Sequence, residues 1–207
     1  MSGKIAGLPV TLARTHIALS GGTFGMSLDS QLAHDASTPD GLVKAVVNDV
    51  INTFKGDASL QGDRNKISAM MDQKIWPYVD FERTTGLCMG EYWRVATQDQ
   101  RNHIVKQFKK LLIERYERDL AELRDQRVEY KPLQAAPDAT DVIVESRMIG
   151  RYTAAVSYRV AKTADGWRVY DLRTRAAWLV ATYERLFAAH LNMGGINELI
   201  GFLRDID

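Results

Sequence analysis

Residues 166–187, GWRVYDLRTRAAWLVATYERLF, run from a strand straight into a helix. Trp167 to Leu172 is rich in aromatic and β-branched residues, as a strand requires. The helix opens on Trp178, Leu179 and Val180 and continues through Tyr183, Leu186 and Phe187. A surface helix needs one apolar stripe. This one offers more than one, so it faces protein on one flank and a second apolar surface on another.

Working outward from that stretch, ADG at 164–166 marks a hairpin turn into the strand. Three earlier segments have strand character: Val128 to Leu133, Val142 to Ile149 and Tyr152 to Ala161, with Gly150 at the bend between the last two. Short connections between four such segments predict a four-stranded antiparallel meander. Alternation places Val142, Val144, Ser146 and Met148 on one face of the second strand. The same face takes Ala154, Val156, Tyr158 and Val160 from the third strand and Trp167, Val169 and Asp171 from the fourth. The opposite face carries Glu145, Arg147, Ser157, Arg159 and Arg168 and is expected to be wet.

Helices precede and follow the strands. Thr38-Pro39-Asp40 reads as an N-cap, a proline at the first helical position and an acid in the first turn. Leu42, Val43, Val46, Val47, Val50, Ile51 and Phe54 then recur at helical spacing until Gly56. A second helix is expected from Asp63 to about Ile75, then short helices through residues 76–97. Thr97 caps the longest helix, about Gln98 to Arg124. After the sheet come helices at about 177–191 and 195–204, broken at NMGG. Helices first, sheet second and helices last define an α+β fold, a twisted sheet packed against helices.

Composition narrows the function. The chain of 207 residues has 27 basic and 26 acidic residues, which removes the electrostatic footprint of a nucleic-acid binder. A single cysteine, Cys88, excludes an intrachain disulfide and a multi-cysteine zinc site. No apolar run reaches the length of a membrane span. Residues 1–37 read as a leader or degenerate signal segment: Lys4 precedes the apolar stretch Ile5 to Ala13, but Pro9 and Thr11 interrupt it. Ordered structure is expected over residues 38–207.

No metal or nucleophile constellation is present. The four histidines, His16, His34, His103 and His190, lack a second ligand at i+4. Cys88 sits among apolar neighbours as a small core residue. Asp171 alone is a carboxylate placed by alternation on the apolar face. It is either a hydrogen-bonded structural acid near a strand end or a general base in a cavity.

Several ordered blocks carry a resemblance. EYWRVATQDQRNHIVKQFKKLLIERYERDL (91–120), VEYKPL (128–133), YRVAKTADGWRVYDL (158–172), WLVATYERLF (178–187) and GGINELIGFL (194–203) together resemble the toluene-tolerance family, the MlaC-type phospholipid-binding proteins of the Gram-negative periplasm. The similarity spans about residues 38–207. It implies an NTF2-like-related fold whose apolar cavity, between sheet and helices, holds acyl chains. It also implies a non-enzymatic lipid carrier with no cofactor beyond its phospholipid cargo. Its partners would be an outer-membrane lipoprotein–porin complex and an inner-membrane ABC transporter with an MCE-domain component, in a pathway that maintains outer-membrane asymmetry.

The lining such a cavity needs is apolar and aromatic. Candidates before and on the long helix are Tyr78, Phe81, Phe108, Leu111, Leu112 and Tyr116. The sheet offers Val142, Val144, Val156 and Tyr158, and the following helix offers Trp178, Leu179, Tyr183 and Phe187. The chain departs from the family pattern at RTRAAWLV (173–180), where Ala176 and Ala177 replace a Gly-Val pair; Arg175 is either a solvated arginine at a strand end or a partner for a phosphate at the cavity mouth. The rival reading is an NTF2-like enzyme acting on a small apolar substrate, with Asp171 as acid/base.

Overall fold

Four of the longer helices start where a short polar side chain satisfies a free N–H group of the first turn. The structure, a computed structural model, describes residues 36–205 apart from 152, 175 and 176. Residues 1–35 of the expected leader, His16, His34, Arg175 and Ala176 therefore lie outside the described residues. Helix α1 (Pro39–Gly56) is capped by the Thr38 hydroxyl, which accepts from the Gly41 N–H at 3.2 Å. Asp63 caps α2 (Arg64–Lys74) and Asp80 caps α3 (Phe81–Met89) through carboxylates on backbone N–H groups. A short α4 (Glu91–Val95) leads to α5 (Gln98–Ala121). Thr97 and Gln100 form a reciprocal capping box at the start of α5.

The sheet has five strands where four were expected. They are β1 (Arg127–Tyr130), β2 (Asp141–Ile149), β3 (Thr153–Thr163), β4 (Gly166–Thr174) and β5 (Ala177–Trp178), paired antiparallel in chain order. β5 is only two residues long, too short for a pattern of alternation to reveal it. It pairs Trp178 with Arg173 and Ala177 with Thr174, folding the chain back before α6.

Helix α6 (Leu179–Arg204) carries a kink at the expected break. Gly194 (φ −152°, ψ 18°) and Gly195 (φ 72°, ψ −159°) both leave the helical region there. Gly195 alone needs the left-handed half of backbone space, which a side chain disfavours.

The described residues pack into three apolar clusters. α1 lays Leu42 and Val43 on the inner face of the sheet against Val142, Val144, Val156, Tyr158 and Val160. α1, α2 and α5 enclose Val50, Phe54, Ile67, Met70, Met71 and Ile113. α3, α5 and α6 bury a layer around Phe108, which is fully enclosed. The Phe108 ring centre lies 4.8–5.2 Å from those of Tyr183, Phe187 and Phe81. That spacing suits tilted and edge-to-face aromatic contact. α3 meets the free edge of β4: the Asp80 N–H donates to the Val169 carbonyl at 2.8 Å, and the Thr84 hydroxyl to the Tyr170 carbonyl at 2.7 Å. No helix among the described residues is long and apolar enough to cross a membrane.

The capping box gives a direct check. Thr97→Ala removes the acceptor for the Gln100 N–H, and α5 is expected to lose about 1 kcal/mol of stability. Urea denaturation followed at 222 nm measures it, with Gln98→Ala as a surface control expected to change stability by less than about 0.5 kcal/mol.

Candidate functional site

The inner face of the sheet is closed at one end and half-open at the other. Antiparallel register sets Val142 opposite Val160, Val144 opposite Tyr158, Ser146 opposite Val156 and Met148 opposite Ala154. Val142, Val144 and Val160 are buried, with Leu42 and Val43 over them. Towards the β2–β3 hairpin, Met148 and Ala154 are only half-buried, as are Leu172 on β4 and Val46 and Val47 on α1.

Polar groups on this face are few and concentrated at its middle. The Ser146 and Tyr158 hydroxyls lie 3.4 Å apart, and the Tyr130 hydroxyl donates to Asn48 Oδ1 at 3.2 Å. Burial pushes the Tyr158 phenol up to about 12 and raises that of Tyr130 as well. Both stay protonated at any physiological pH. Alternation placed Ser146 on the inner face, but its pairing with Tyr158 depends on register between strands, which a single strand's pattern does not contain.

The other predicted residues lie mainly on the helical layer. Phe81, Phe108, Leu112, Tyr183 and Phe187 share one buried cluster, and Leu111, Tyr116 and Leu179 pack against it half-buried. Burial raises the Tyr183 phenol above its ordinary range, with Tyr116 beside it adding to the effect. Two predicted residues stand apart. Tyr78 is 38% exposed. Trp178 faces the outer, charged side of the sheet, its ring 4.1 Å from the Arg159 guanidinium and 5.1 Å from that of Arg173.

Asp171 is on the other face from the one alternation gave it. Between Arg159 and Val160 the register shifts: Arg159 faces Asp171, yet Val160 faces Val169. Tyr170 is the extra residue of a bulge, and one extra residue turns the side chains that follow to the opposite face. The Asp171 side chain has no exposed surface, while Arg159 beside it is 37% exposed. One carboxylate oxygen accepts from the N–H of Leu172 (2.9 Å) and of Val180 (3.0 Å), and the other from Arg159 (3.0 Å). Burial pushes its carboxyl above the usual range, against the downward pull of those three donors.

Trp178, at the N-cap of α6, has no capping oxygen of its own, so a carboxylate from β4 supplies one. The donors occupy Asp171 away from the inner face, which removes it as the acid/base of an enzyme. Cys88 is buried, its thiol raised by burial with Asp171 and Glu184 adding to the shift, so it is no thiolate nucleophile. Among the described residues no group of histidine, cysteine or carboxylate side chains is arranged to hold a metal ion. His190 stacks on Phe202 at 3.8 Å between ring centres.

The geometry defines a class: an α+β module with an apolar, partly open sheet face and an aromatic helical layer. A family model described as MlaC protein matches residues 44–205. The chain belongs to the MlaC family. It is 19% identical over 170 residues to the intermembrane phospholipid transport system binding protein MlaC of Haemophilus influenzae, covering 79% of each chain. It is also similar to a phospholipid-binding protein of Ralstonia solanacearum whose structure was solved in complex with a phospholipid. That protein is 42% identical, with a TM-score of 0.78, and the match covers 81% of this chain and 95% of the other.

Asp171→Ala strips the buried acceptor from the start of α6 and leaves two backbone N–H groups and Arg159 without it. A loss of about 2–3 kcal/mol is expected. Urea unfolding measures it, and a change below about 0.5 kcal/mol would remove Asp171 from its structural role.

Proposed function

We propose that the chain is a soluble, periplasmic phospholipid carrier. It shuttles lipid between an outer-membrane lipoprotein–porin complex and an inner-membrane ABC transporter with an MCE-domain component, maintaining outer-membrane lipid asymmetry. The observation that carries this reading is the phospholipid held by the 42% identical Ralstonia protein, almost all of whose length this chain matches. The transport system named for the Haemophilus relative supports the shuttling step.

The physical chemistry agrees. A diacyl phospholipid has on the order of 30 methylenes, each worth roughly 0.8 kcal/mol on leaving water. The gross term of about 25 kcal/mol makes free transfer through water negligible. A carrier therefore needs an interior about as apolar as the membrane, so that exchange in both directions stays near balance. Acyl chains are assigned to the inner face, over Val142, Val144, Val156 and Tyr158, and to the half-buried rim of Leu111, Tyr116 and Leu179. The fully enclosed Phe108 and Phe187 lie in the cluster against which that rim packs.

Organic extraction and native mass spectrometry of the purified protein test this. Phospholipid is expected to co-purify, and lipid-stripped protein to take it up from vesicles; neither occurring would sink the carrier reading. Leu179→Glu puts a carboxylate on the rim at the first residue of α6, where the helix dipole favours it. Lipid retention is expected to be lost with the far-ultraviolet dichroism unchanged, and unchanged retention would take Leu179 out of the lining.

A further inference from the structure

Ser146 and Tyr158 are the two hydroxyl residues buried on the apolar inner face, 1% and 7% exposed. Their oxygens lie 3.4 Å apart, close enough for one hydrogen bond. Two O–H groups sharing one bond leave one hydrogen over, whichever oxygen donates. Among the described residues nothing else accepts it. Their inner-face neighbours Val144, Val156, Val160, Met148 and Leu172 have no polar side chain, and among the described residues the pair makes no hydrogen bond to the hydroxyl of Tyr130, opposite Ser146, or of Thr174, opposite Val156. A buried donor without an acceptor is uncommon in a folded protein and costs stability.

Position says what the donor awaits. The pair stands where the closed half of the face (Val142, Val144, Val160) meets the half-open one (Met148, Ala154, Leu172). A group reaching it from the open end must pass and be followed by apolar chain. A neutral acceptor suits it better, because among the described residues no unpaired cation is placed against the pair to compensate an anion. Lys44, whose ammonium lies 5.9 Å from the Tyr130 ring centre, is paired with Asp40 at 2.6 Å. A phosphate is therefore a poor fit and a carbonyl oxygen a good one.

We infer that the Ser146–Tyr158 hydroxyl pair donates a hydrogen bond to an ester carbonyl of a bound diacyl phospholipid, selecting ester-linked over ether-linked chains. The inference rests on the phospholipid reading above and deepens it. Tyr158, held protonated by burial, keeps its hydrogen across the whole working pH range. Preference comes from the pair left unsatisfied by an ether lipid, which lacks the carbonyl.

The test is a competition. Lipid-stripped full-length protein is incubated with vesicles holding equal amounts of diacyl and dialkyl-ether phosphatidylethanolamine of matched chain length, and the bound lipid is weighed by mass spectrometry. Wild type is expected to take up the ester lipid about tenfold in excess, the size of one hydrogen bond. The double variant Ser146→Ala/Tyr158→Phe removes both donors, and among the lipid it does take up the ratio is expected to fall to about one. A wild-type ratio near one, as a trapped water on the pair would give, overturns the inference and leaves the carrier reading intact. A preference that survives in the double variant overturns it too. Uptake of neither lipid defeats the carrier reading, and this inference with it. The wild-type ratio decides the matter even where the double variant fails to fold.

Discussion

The carboxylate of Asp171 ties together three parts of the chain: β3, β4 and the start of α6. It sits in the second half of β4, bonds the next backbone N–H, and also accepts from the N–H of Val180 in the first turn of α6. Arg159 holds its second oxygen from β3. The helix so positioned carries Tyr183 and Phe187 into the aromatic layer around Phe108. Without the bulge at Tyr170, Asp171 would face the inner surface and put a charge among valines. The bulge both spares that surface and sets the direction of α6.

What the inner face then offers is graded cover. α1 seals one end with Leu42 and Val43, while Val46 and Val47, one turn on, leave the other end half-open beside Met148 and Leu172. A surface sealed throughout would be ordinary core, and one open throughout would be an aggregation hazard. Partial cover suits a cargo that must enter and leave. The charges lie on the opposite face, and many are paired: Lys131 and Arg173 approach Glu145, and Arg127 approaches Glu129.

Much of this was legible in the residues themselves. The caps at Thr38 and Thr97, the ADG hairpin, the break at Gly194-Gly195 and the inner-face alternation of β2 and β3 are local signals, and each is found in place. The failures share one cause. Whether Tyr170 is an extra residue depends on what β3 places beside it, and whether Ser146 meets Tyr158 depends on strand register. Both are relations between segments, invisible to alternation within one. Trp178 was misjudged for the same reason: its pairing with Arg173 in β5 turns it outward, between two guanidinium groups. Arg173 itself lies beside the Trp178 ring and donates to the Ser157 hydroxyl at 3.0 Å.

The central claim is that acyl chains lie between the inner sheet face and the helices. Photo-crosslinking tests it most directly, using a phospholipid with a diazirine near the end of one acyl chain and peptide mapping of the labelled protein. The account predicts label on Val46, Met148, Leu172, Tyr116 and Leu179. Label concentrated on the exposed apolar residues Val95, Met193 and Ile143, which are 74%, 72% and 49% accessible, would contradict it and assign the lipid to the outer surface.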